Sequence, residues 1–134
     1  MVNNAYQKYK QNSIETASSE ELTLMLYQGC IKFIKLAKRA IEENNILDRN
    51  TNLIKAQNIV QELMISMDPK YPITETIMPM YDYMYRRLME ANAKNDIEIL
   101  NEVEGYAVEF RDTWKQVMQI NRGQQAQLQQ SGKA

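Results

Sequence analysis

The sequence predicts an all-α protein: an antiparallel up-down four-helix bundle with an N-terminal docking segment and a disordered C-terminal tail. Three observations carry that expectation. Four segments of about 20 residues repeat apolar side chains at helical spacing. The connections between them are short enough to make neighbours antiparallel. The composition, 44% hydrophobic and 25% charged over 134 residues, is that of one globular domain.

Residues 1–17 form the first unit. Tyr6, Tyr9 and Ile14 stand there among polar residues with neither helical nor alternating spacing, as in a segment that docks onto a surface. Helix 1 is expected over 18–44. Ser18-Ser19-Glu20-Glu21 matches the capping box, in which the Ser18 hydroxyl takes the amide of Glu21. Lys38–Glu42 and Arg39–Glu43 are i,i+4 pairs, and Asn44-Asn45 marks the end. Helix 2 is expected over 48–66, because Asp68-Pro69-Lys70-Tyr71-Pro72 is incompatible with continuation. Helix 3 is expected over 73–94, regular from Ile77 onward, so that Pro79 falls in a first turn capped by Thr76. Asn95-Asp96 should cap helix 4, over 96–120. The remaining 121–134 holds five glutamines, two glycines and one large apolar residue, Leu128. That is too little burial to offset the entropy of ordering, so a disordered tail is expected.

Charge and composition exclude several functions. Lys and Arg total 16 against 17 Asp and Glu, which removes the basic excess that draws proteins to nucleic acid or anionic lipid. With no histidine, the commonest general base and metal ligand is missing, and the Glu-x-x-His pairs of a di-iron bundle cannot form. Gly29, Gly105, Gly123 and Gly132 are scattered, so no phosphate-cradling loop exists. No catalytic, cofactor-binding or metal-binding residue is assigned, and an enzyme is not expected. Cys30 is alone and has no disulfide partner, the start lacks a signal-peptide pattern, and no apolar run approaches a membrane span. A cytoplasmic protein without membrane insertion is expected.

The helical wheels locate the surplus apolar surface. At 100° per residue, helix 4 gathers Ile99, Leu100, Val103, Tyr106, Ala107, Phe110, Trp114, Val117 and Met118 within about 120°, an ordinary core stripe. Helix 2 does the same with Leu53, Ala56, Ile59, Val60, Leu63, Met64 and Met67, leaving Ile54 and Ile65 on the far side. Helix 1 is apolar over about 260°. Leu22, Met25, Leu26, Phe33, Leu36, Ala37 and Ala40 share one face with Gly29, and Leu24, Tyr27, Ile31, Ile34 and Ile41 extend it. Such a width means either the most central helix or a helix with a second surface to cover. In the second case Leu24, Tyr27, Ile31 and Ile34, with Ile54 and Ile65, are the candidate contacts of a partner's amphipathic helix. Tyr6, Tyr9 and Ile14 would then supply a displaceable cover. Met78, Met80, Met84 and Met89 alternating with Tyr81, Tyr83 and Tyr85 suit either an adaptable peptide surface or core filling. Cys30 falls in the apolar arc and reads as an inert buried thiol.

The ordered set of local sequences also carries a family pattern. Ala5-Tyr6 with Tyr9 is followed by Ala17-Ser18-Ser19-Glu20-Glu21-Leu22-Thr23-Leu24-Met25-Leu26-Tyr27-Gln28-Gly29 and Lys55-Ala56-Gln57-Asn58-Ile59-Val60-Gln61-Glu62-Leu63. Tyr81-Asp82-Tyr83-Met84-Tyr85-Arg86-Arg87-Leu88, Ala91-Asn92, Asn95-Asp96, Glu102-Val103-Glu104-Gly105 and Trp114-Lys115 then come in order. Over about Ala5 to Met118 the chain resembles the flagellin-specific export chaperones, FliS. The resemblance implies a cytoplasmic chaperone that binds the C-terminal segment of flagellin, prevents premature polymerisation and delivers it to the flagellar type III export apparatus. It also implies docking on the cytoplasmic domain of the export-gate protein FlhA through the N-terminal tyrosine motif, carried here onto Tyr6. From the residues alone, a homodimer or adaptor using the apolar stripe for self-association stays open, as does a small-ligand pocket among the Met and Tyr side chains of helix 3.

Overall fold

The computed structural model describes residues 18–131, which form four antiparallel helices. These are α1 (Ser19–Glu42), α2 (Ile46–Ser66), α3 (Ile73–Lys94) and α4 (Ile97–Ser131). They pack in ring order, α1 on α2, α2 on α3, α3 on α4 and α4 back on α1, so each is the antiparallel neighbour of the next. Ile34, Leu53, Leu63, Leu88, Leu100 and Val103 are fully buried along the central axis.

Local chemistry sets the helix ends. The Ser18 hydroxyl accepts from the Glu21 amide at 3.2 Å, as the capping box requires. At the other end of the bundle one Asn-Asn pair closes α1 and opens α2. Asn44 takes φ 56°, in the left-handed region that asparagine tolerates, and the Asn45 amide reaches back to the Ala40 carbonyl at 2.8 Å. The Asn45 side chain then accepts from the Asp48 amide at 3.1 Å, so α2 starts at Ile46, two residues earlier than expected. Asn95-Asp96 repeats the device between α3 and α4, with Asn95 at φ 54° and the Asp96 side chain accepting from the Glu98 amide at 2.9 Å. Arg49 ties the two corners together, donating to Asn92 at 3.0 Å and to Asn95 at 2.7 Å.

Three expectations are corrected. α3 is helical from Ile73, preceded by Pro72 rather than capped by Thr76, so Pro79 lies inside the helix. Its missing N–H leaves the Glu75 carbonyl without the usual partner on an exposed stretch, where water can serve instead. The Thr74 hydroxyl donates to the Asp68 carbonyl and anchors this first turn, so the expected span 73–94 is helical from its first residue rather than regular only from Ile77. Lys38 does not pair with Glu42 but crosses to Glu104 of α4 at 2.8 Å, whereas Arg39–Glu43 forms at 3.0 Å. Finally, α4 continues from the expected end near Ile120 to Ser131. Beyond Asn121 every described side chain is exposed, so this turn-by-turn continuation rests on the helix propensity of Gln, Ala, Leu and Arg rather than on burial. Residues 1–17 and 132–134, and with them the docking segment and the end of the tail, lie outside the described residues.

Candidate functional site

Helix 1 turns a different edge of its apolar arc to the interior than the sequence ranking implied. Tyr27, Cys30, Ile31, Ile34, Ala37 and Ala40 are its buried residues, while Leu22, Leu24, Met25, Leu26 and Phe33 are half-buried and Leu36 is exposed. Tyr27 and Ile31 retain 5% of their surface and Ile34 none, which corrects their assignment to a surface groove. Tyr27 stacks on Phe110 of α4 at 5.8 Å and shares a hydrogen bond with the Tyr81 hydroxyl of α3, so it knits three helices together. Burial raises the pKa of both phenols, most strongly that of Tyr81, and pushes the Cys30 thiol up to about 12. These are neutral core groups.

Leu24, Ile54 and Ile65 remain accessible but do not share one face. Leu24 stands one turn beyond Glu20, whose carbonyl accepts from Trp114 Nε1 at 2.9 Å and whose carboxylate accepts from Asn121 at 2.6 Å, so it belongs to the α1–α4 seam. On α2, Ile59 packs toward Gly29 of α1 and Gln61 donates to Tyr85 of α3 at 3.2 Å. Ile54 and Ile65 lie between those two contact directions, 51% and 82% exposed. Leu47 extends the row: it is exposed, and its offset of seven residues from Ile54 returns it to the same side of the helix.

A second apolar surface, not assembled from the sequence, lies between α3 and α4. Pro79, Met80, Tyr83 and Met84 of α3 and Tyr106 of α4 line an open cavity of about 240 Å³. Tyr83 and Tyr106 meet edge to face with centroids 6.2 Å apart. Above them, Glu102 accepts from the Tyr83 hydroxyl at 3.0 Å and from Arg87 Nε at 2.9 Å, and Arg87 also pairs with Glu90 at 2.6 Å. The hydrogen bond to Glu102 raises the Tyr83 pKa, and the cations of Lys94 and Arg87 hold the Glu90 carboxyl below its ordinary value. The methionine and tyrosine alternation in α3 was the available signal. It divides between the two roles considered, with Tyr81 and Met84 inside and Met80, Tyr83 and Met89 outside.

Comparison with known proteins decides the family. The family model "Flagellar protein FliS" matches residues 2–121. The chain belongs to the FliS family. It is 54% identical over 121 residues to the flagellar secretion chaperone FliS of Bacillus subtilis strain 168, covering 90% of this chain and 91% of that one. With the flagellar secretion chaperone FliS of Escherichia coli K12 it shares 33% over 109 residues, 79% and 80% of the two chains. A crystal structure of a bacterial flagellar chaperone superimposes with a TM-score of 0.71 at 17% identity, over 89% of this chain and 98% of that one, and so shares the fold. FliS is a family of flagellar secretion chaperones, not of enzymes. Among the described residues of this FliS chain no helix is long and apolar enough to cross a membrane.

Proposed function

We propose that the chain is a cytoplasmic flagellar export chaperone that binds the C-terminal segment of flagellin, keeps it from polymerising and delivers it to the type III export apparatus. Family membership supports the class. The observation that carries the finer reading is the distribution of accessible apolar residues: exposed Leu47, Ile54 and Ile65 on the outside of α2, exposed Met80 and Tyr83 beside α4, and half-buried Leu24 at the α1–α4 seam. A compact partner would need one patch. A segment that wraps the bundle in extended and helical stretches would use several separated ones, each burying a few side chains at roughly 25 cal/mol per Å².

In this reading the core stays closed and Tyr27, Ile31 and Ile34 stabilise the scaffold rather than touch the client. The N-terminal segment, with Tyr6, Tyr9 and Ile14, is the cover that the client displaces, and Tyr6 is the contact to the cytoplasmic domain of FlhA. Calorimetric titration with the C-terminal segment of flagellin, with light scattering for complex mass, tests the proposal. A one-to-one complex with a negative heat-capacity change is expected. The Ile54→Asp, Ile65→Asp double variant should fold normally and bind at least about tenfold more weakly, about 1.4 kcal/mol. An unchanged affinity would remove the α2 face from the interface. A concentration-dependent dimer that takes up no client would instead assign the exposed row to self-association.

A further inference from the structure

We infer that the α3–α4 groove seats a helical stretch of the client that carries one large aliphatic side chain and a basic residue one turn away, with Gly105 as the point of closest backbone approach. The inference rests on the flagellin-chaperone reading and names the place and chemistry of one contact. Its first support is a glycine that the bundle itself does not explain. Gly105 lies inside α4, where glycine costs stability relative to alanine, and a Cβ built there meets nothing within 4 Å. Gly29 is the contrast, because a Cβ there comes within 3.0 Å of Ile59 Cδ1 across the α1–α2 contact. Gly123 is as open as Gly105, but it stands beyond Met118, the last buried residue of α4. Gly105 alone is an open glycine in the packed part of the bundle, on the outer side of α4 less than one turn from Glu102, which accepts from the groove residue Tyr83.

The second support is the cavity. At about 240 Å³ it falls below the roughly 300–1,000 Å³ typical of small-molecule sites, and it is open to solvent. That shape favours an inserted side chain over an enclosed metabolite. Its walls are the thioether of Met80 and the rings of Tyr83 and Tyr106, which adapt to or stack on aliphatic groups. The backbones of α3 and α4 approach each other less closely than those of the other neighbouring pairs, with Tyr83, Met84 and Tyr106 between them.

The third support is charge. Glu98, Glu102, Gly105, Glu109 and Asp112 recur along the outer side of α4 at spacings of three, four and seven residues, so the glycine is a gap in an acidic ridge. Arg87 neutralises Glu102 and Arg111 neutralises Asp112. Glu98 and Glu109, one turn or two from Gly105, have no cation partner among the described residues and are exposed. A lysine or arginine on the client helix would pair with Glu109, one turn from Gly105, and the missing Cβ at Gly105 lets that helix lie close enough for its aliphatic side chain to reach the cavity.

The test uses the full chain titrated with the C-terminal segment of flagellin, together with thermal melts. Gly105→Ala should raise the melting temperature by about 3 °C through helix propensity while weakening binding several-fold, a combination that a purely structural glycine would not produce. Gly105→Leu should fold as well and bind at least tenfold more weakly. Glu109→Arg should weaken binding and flatten its salt dependence. If the wild-type chain binds and all three variants match it, the groove assignment is overturned while the chaperone reading stands. If the wild-type chain does not bind at all, the underlying reading fails first.

Discussion

Cys30 shows how far a single position constrains the chain. It sits in the apolar arc of α1, and the structure leaves none of its surface exposed. Desolvation moves the thiol from 9.0 to about 12. The consequence for stability follows from the sign of that shift. The folded chain holds the proton over a range in which the unfolded chain has lost it, so the contribution is complete below pH 9 and declines as pH rises toward 12. The slope is at most about 1.4 kcal/mol per pH unit. Tyr27 and Tyr81, both raised by burial, act in the same direction above pH 10. Urea unfolding at pH 8 and pH 10.5 should therefore show a loss of stability that is smaller in Cys30→Ala; equal losses in the two proteins would mean the thiol does not titrate on unfolding. The buried position of Cys30 was legible in the sequence. That Tyr27, Ile31 and Ile34 accompany it was not, because a helix apolar over about 260° offers several possible inner edges and only its neighbours choose among them.

At the scale of the helix, the connections are the informative parts. Asn44 and Asn95 both adopt left-handed backbone, and each is followed by a residue whose side chain caps the next helix. Replacing Asn44 with alanine should cost about 1 kcal/mol because a β-carbon is disfavoured at positive φ, while Asn44→Gly should be close to neutral. Thermal melts of the two variants check this, and an alanine variant as stable as the glycine one would show that the corner does not depend on the left-handed residue. Both Asn-initiated corners were readable as boundaries, as were the Ser18 cap and the proline-bounded turn after α2. The early start of α2 and the interior position of Pro79 were not. In each case a tertiary or side-chain hydrogen bond, Asn45 to Asp48 or Thr74 to Asp68, outweighs the local preference of the sequence. The length of α4 was missed for the opposite reason: a glutamine-rich stretch without burial still has the propensity to continue a helix already formed.

For the whole molecule, ring order and antiparallel packing follow from four helices and short connections, and the sequence carried that much. It also marked Ile54 and Ile65 as surplus to the core, which their exposure bears out. What it did not carry is the placement of surplus surface on several faces, including a groove built jointly by Met80 and Tyr83 of α3 and Tyr106 of α4, whose side chains meet only once the two helices pack. In the proposed function the bundle stays closed and engages its client on the outside. Isoleucine methyl resonances of the full chain, recorded with and without the C-terminal segment of flagellin, test it most directly. The methyls of Ile54 and Ile65 should shift on binding while those of Ile31 and Ile34 hold their positions. Movement of Ile31 and Ile34 with Ile54 and Ile65 unaffected would contradict the account and show that the client enters the core.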